Sequence, residues 1–166
     1  MNTIISRKVL LGSVASIGLA AATESVAKAA QSAVVGAWML ESFNERVADG
    51  SFKPRFGPNP VGYLIYTASG RVSATLSGIH RRPLTSGSTS AAAGHCKESV
   101  HDFLAYAGTY KIAGSTVFHR IETSVFTNLV GVTLKRGFQM SGDTLVIRTL
   151  PPYVWGSQSR LVWRRS

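Results

Sequence analysis

Apolar and polar positions alternate with a period of two along several short stretches of this chain, the pattern of strands buried on one face. Arg71 to Leu76 sets Arg71, Ser73 and Thr75 on one side and Val72, Ala74 and Leu76 on the other, and it forms a predicted hairpin with Val61 to Thr67 over Ala68-Ser69-Gly70. Val35 to Asn44 alternates Trp38, Leu40 and Ser42 against Met39, Glu41 and Phe43. Gly108 to Ile112 pairs with Thr116 to Glu122 over Ala113-Gly114, Val132 to Met140 pairs with Thr144 to Thr149 over Ser141-Gly142-Asp143, and Gln158 to Arg164 closes the series. Prolines and a glycine break the pattern from Pro54 to Pro60, and Ser77 to Gly94, without periodicity, reads as a loop or lid. Lys97 to Tyr106 places Val100, Phe103 and Leu104 at helical spacing, with Gly108 where a helix C-cap glycine would stand, so one short helix is predicted there. The sum predicts an all-β, antiparallel barrel of about 8–10 strands, with a two-sheet sandwich as the alternative because alternation does not register closure. Gly36-Ala37-Trp38 on the first strand and Trp163 on the last predict one barrel end sealed by large side chains.

The N-terminus follows a different pattern. Arg7 and Lys8 precede an apolar, small-residue run from Val9 to Ala22, and Ala27-Lys28-Ala29 offers a small-x-small cleavage site, so residues 1–29 read as an export signal and residues 30–166 as one domain. Ser6-Arg7-Lys8-Val9-Leu10 resembles a degraded twin-arginine signal, which leaves the two export routes undecided. The apolar run is too short and too rich in Ala, Gly and Ser for a stable membrane span. A periplasmic or secreted protein is therefore expected.

Charge adds little to this picture. The chain carries 18 Lys and Arg against 8 Asp and Glu. Removing residues 1–29 takes away Arg7, Lys8, Lys28 and Glu24, which leaves a net charge near +8. The basic residues are dispersed, with no run of five and no helix face to carry them, so nucleic acid is not an expected partner. Cys96 is the only cysteine, which excludes an intramolecular disulfide. His95, Cys96 and His101 fit zinc-ligand spacing poorly, and no metal or cofactor is expected.

Several segments together carry a family resemblance. They are Gly36-Ala37-Trp38-Met39-Leu40-Glu41-Ser42-Phe43, then Gly57-Pro58-Asn59-Pro60-Val61-Gly62-Tyr63-Leu64-Ile65-Tyr66, then Tyr106-Ala107-Gly108-Thr109-Tyr110, with Arg136-Gly137-Phe138, Gly142-Asp143-Thr144-Leu145 and Leu161-Val162-Trp163 following. In these the chain resembles the bacterial and fungal lipocalin-like domain family. The resemblance implies a lipocalin-type barrel with an internal cavity and says little of the ligand, since a fold does not fix a function. Thr127 and Arg164 depart from the family's usual proline and glutamate, as does the short Ala/Ser-rich segment before the predicted helix.

Chemistry is sought among polar residues in phase with apolar ones. His119 is in phase with Val117 and Ile121, and Arg136 with Leu134 and Phe138, so both are expected inside. Tyr110, in phase with Ile112, and Tyr63, in phase with Ile65, are expected to add two phenols to the same space. Each has a plain structural reading: His119 as a satisfied core group, Arg136 as a cation stacked over Trp38, and the tyrosines as core or rim residues. Jointly His119, Arg136, Tyr110 and Tyr63 outline a ligand-binding cavity with apolar walls and a few convergent polar groups. Binding of a small hydrophobic or amphipathic molecule, with Arg136, alone or together with His119, meeting a carboxylate, phenolate or carbonyl, is the leading expectation. The alternative is a cofactor-free isomerase, cyclase or lyase in which His119 acts as acid and base while Arg136 or Tyr110 stabilises an enolate-like charge. Self-association as a homodimer is left open.

Overall fold

The computed structural model of the protein describes residues 28–79, 102–154 and 156–166. Nearly all of the predicted export signal, residues 80–94 of the predicted lid, and His95, Cys96 and His101 lie outside the described residues.

Among the described residues nine strands form one antiparallel sheet: β1 (Gly36–Arg46), β2 (Phe52–Pro54), β3 (Val61–Tyr66), β4 (Arg71–Ser77), β5 (Phe103–Ala113), β6 (Thr116–Ser124), β7 (Thr133–Ser141), β8 (Thr144–Thr149) and β9 (Ser159–Arg165). Each of β3 to β9 pairs with its sequence neighbour, and β9 returns to pair with β1, which closes an eight-stranded barrel. Closure leaves no long free edge among the described strands and decides between barrel and sandwich. The free side of β1 is shared: Gly36 to Met39 pair with β3, while Asn44 to Arg46 pair with the three-residue β2. Alternation does not predict that short strand, since it abuts the proline-rich break.

Alternation places one face of every long strand inside. Val72, Ala74 and Leu76 on β4, Val117 and Ile121 on β6, Leu145 and Ile147 on β8, and Leu161 and Trp163 on β9 are all buried. On β1 a register shift between Leu40 and Ser42 turns Phe43 inward in place of the expected Ser42. Glu41 and Glu122 lie on the outer face, where they pair with Arg164 and Arg71 at 2.6 Å each. Such exposed pairs contribute little to stability.

Two expectations about β5 are corrected. The helix predicted to run to Tyr106 is a strand from Phe103 onward, and residues 97–101 are not described. Gly108 is no helix cap but sits beside a bulge between Ala107 and Gly108, where a Cβ would collide with the Arg120 carbonyl oxygen. Only glycine lets β6 approach so closely.

One barrel end is sealed by Trp38 as predicted, but Trp163 lines the inner cavity instead of sharing that end, and the cation is a different one. Residues 28–34 form a helix that leads into β1. Trp38 is fully buried and its Nε1–H donates to the Val34 carbonyl oxygen at 2.9 Å. The guanidinium over its ring, 4.2 Å from the centroid, belongs to Arg165 and not to Arg136. Arg165 also donates to the carbonyl oxygens of Ala33 and Val35, which ties the helix to the last strand. The opposite end carries Phe43, Phe56, Phe103 and Phe126 around what is, among the described residues, an opening.

Candidate functional site

Inside the barrel, between the sealed end and the phenylalanine-rimmed opening, two cavities meet at the shared walls of Phe43 and Leu104. The inner one holds about 30 Å³ and the one at the opening about 140 Å³. Both are small beside the roughly 300–1,000 Å³ of drug-sized sites, so the space suits a small ligand. Leu64, Leu76, Ile147 and Leu161 supply apolar walls to the inner cavity.

A polar cluster faces those walls. His119 on β6 is 1 % exposed and lies between two phenols: the Tyr66 hydroxyl is 2.7 Å from Nε2 and the Tyr106 hydroxyl 2.9 Å from Nδ1. Tyr66 comes from β3 and Tyr106 from β5, so three strands hold the chain of hydrogen bonds. On the strands that follow β6, the β7–β8 register pairs Arg136 with Thr149, whose Oγ1 accepts the backbone N–H of Ser159 on β9 at 2.6 Å. Arg136, Thr149 and Ser159 thus form a polar row across three strands, all buried and all lining the inner cavity.

Electrostatics single out Arg136. Its residue surface is 8 % exposed, and among the described residues no hydrogen-bond acceptor or carboxylate engages its guanidinium. Burial lowers its pKa, partly countered by Tyr106 and Tyr66, yet an arginine side chain stays cationic. A buried charge without a partner is costly, and it survives in a fold only where something offsets the cost. Trp163, which also lines the inner cavity, holds the one fully buried side-chain donor without a partner among the described residues, its Nε1–H.

Burial, and secondarily the charge of Arg136, hold the His119 pKa down at about 3. Burial pushes the hydroxyls of Tyr66 and Tyr106 up from the usual phenol value. At neutral pH the cluster is therefore one cation, one neutral imidazole and two neutral phenols. The histidine makes stability depend on pH. Between pH 6.5 and about 3 the unfolded chain binds a proton at this histidine that the folded barrel does not, so folding weakens as pH falls through that window. The expected slope is about 1.4 kcal/mol per pH unit from this group. Urea melts of the wild type and His119→Gln at pH 7, 5.5 and 4.5 check it: the gap between the two proteins should shrink as pH falls, and a constant gap would assign the acid sensitivity elsewhere.

The residues expected in the site fare differently. His119 and Arg136 line the same cavity. Tyr110 points inward but toward the sealed end, where its hydroxyl donates to the Thr67 carbonyl oxygen at 3.0 Å and its ring packs on Tyr66. Tyr63 is corrected: it is 53 % exposed and stands on the outer face with Ile65, while Leu64 and Tyr66 take the inner one. Strand phase alone does not single out Tyr66 or Tyr106, whereas Thr149, in phase with Leu145 and Ile147, and Ser159, in phase with Leu161 and Trp163, are legible by it although they are not among the expected site residues. Tyr106 is hidden in the predicted helix. Tyr66 is recoverable, because residues paired across a hairpin share a face and Tyr66 pairs with Val72.

The closed eight-stranded antiparallel barrel agrees with the match of residues 35–166 to the family described as a lipocalin-like domain. The chain belongs to that family. No curated protein matches it. Within this lipocalin-like barrel the described residues contain no cluster of His, Cys, Asp and Glu able to hold a metal, and no helix long and apolar enough to cross a membrane.

Proposed function

We propose that this lipocalin-like protein binds a small amphipathic anion, with the charged group against Arg136 in the inner cavity and the apolar part directed toward Phe43 and the opening. The observation that carries the reading is the buried guanidinium without a partner among the described residues, in a cavity whose other walls are mostly apolar. An anion would turn an unmatched charge into a charge-assisted, two-pronged contact. The ring of Phe43, Phe56, Phe103 and Phe126 supports an apolar tail leaving the inner cavity, and the volumes support a short one.

Titration calorimetry with octanoate and octan-1-ol, equal in chain length and different in charge, tests this. Octanoate is expected to bind the wild-type protein at least about tenfold more tightly, the worth of one hydrogen bond to a charged group. Equal affinities would count against an anion site.

A proton-transferring reaction in the same cavity is the second reading. The chain from Tyr66 through His119 to Tyr106 favours it. Against it stands the weak basicity of His119, far from the near-neutral pKa that suits a general base.

A further inference from the structure

We infer that the Tyr66–His119–Tyr106 chain is polarised in one direction, so that the Tyr106 hydroxyl donates into the cavity beside Arg136 and makes the site selective for a carboxylate. The inference rests on the anion reading above and names the anion's class.

A neutral imidazole has one N–H and one bare nitrogen. Because each ring nitrogen of His119 faces one phenol, one phenol must donate to the ring and the other must accept from it. The accepting phenol keeps its own proton for a third group. Were that phenol Tyr66, its proton would be stranded: Tyr66 is 2 % exposed, does not line the cavity, and among the described residues has no hydrogen-bond partner besides His119. A stranded buried donor is disfavoured, whereas a donor facing a cavity can be met by whatever enters it. Tyr106 does line the cavity, so its proton can reach a ligand there. The favoured order is therefore Tyr66 O–H to Nε2, Nδ1–H to the Tyr106 oxygen, and Tyr106 O–H into the cavity. Successive bonds in such a chain strengthen one another, which makes the last donor a good one.

The cavity walls then carry two donors for a ligand, the Arg136 guanidinium and the Tyr106 hydroxyl, with no anionic side chain among the described residues on its walls. A ligand must bring acceptors and one negative charge. A carboxylate brings two coplanar oxygens, enough for the guanidinium and the hydroxyl together, and fits a space of about 30 Å³. Tyr66 and His119 are positioning residues that act through Tyr106.

Two measurements on the full chain test this. Long-range proton–nitrogen NMR of the 15N-labelled, ligand-free protein, with His119 assigned through His119→Gln, is expected to show Nδ1 protonated and Nε2 bare from pH 5 to 8. The opposite tautomer would overturn the polarity, and this reading needs neither a ligand nor a Tyr106 variant. Calorimetry of Tyr106→Phe is expected to show octanoate weakened about tenfold and octan-1-ol by less than about threefold. Equal losses for both would overturn selectivity. If wild-type protein binds octanoate no better than octan-1-ol, the anion reading itself fails, and carboxylate selection fails with it, while the tautomer still decides the direction of the chain.

Discussion

Arg136→Met is expected to make the barrel more stable and, at the same time, to remove its preference for anions. The guanidinium is buried among Tyr66, Tyr106 and apolar walls with no carboxylate among the described residues to offset its desolvation. Methionine fills a similar space without a charge, and exchanging buried ionic groups for apolar ones of like volume often stabilises a protein by about 1–4 kcal/mol. For a domain of this size each kcal/mol moves the melting temperature by about 2–4 °C. The same exchange should weaken octanoate by about tenfold or more while leaving octan-1-ol within about threefold, since only the ionised head loses a partner. Thermal melts and calorimetry on one preparation check both halves. Lower stability with octanoate unaffected would make Arg136 a structural residue.

The second large effect concerns the sealed end. Trp38→Ala is expected to cost about 3–5 kcal/mol, because it empties a fully buried site and leaves nothing to fill it. The loss includes the bond from Nε1–H to the Val34 carbonyl oxygen and the face on which Arg165 stacks, so the helix at residues 28–34 and the end of β9 should loosen together. Arg165→Ala, which keeps the indole, should cost only about 1 kcal/mol. Denaturant unfolding of both variants checks the ranking. A Trp38→Ala protein as stable as the wild type would contradict the sealed end.

These two residues also mark how far the sequence can be read. Trp38 is legible because β1 opens on a clear alternation and Trp163 repeats the signal on the last strand. Arg136 is legible because a charge in phase with Leu134 stands out. What stays hidden are the places where period two fails or is satisfied twice. On β3 both faces are apolar, Leu64 and Tyr66 against Tyr63 and Ile65, so phase alone cannot choose, and only the pairing with β4 decides it. On β5 the bulge at Gly108 shifts the register, and Phe103 and Leu104, which stand at helical spacing, are strand residues. Tyr106 is lost with them. The cation over Trp38 is misassigned for a third reason: strand phase shows which residues face inward, not which level of the barrel they occupy. Arg165 reaches the sealed end because β9 pairs it with Trp38, whereas Arg136 pairs with Val117 and Thr149 farther along the cavity.

The most direct measurement is a crystal structure of the protein with octanoate. The carboxylate is expected within hydrogen-bond distance of the Arg136 guanidinium and the Tyr106 hydroxyl, with the chain running past Phe43 toward the opening. Octanoate bound tail-first, or seated only on the outer face of the barrel, would contradict an anion site built on Arg136.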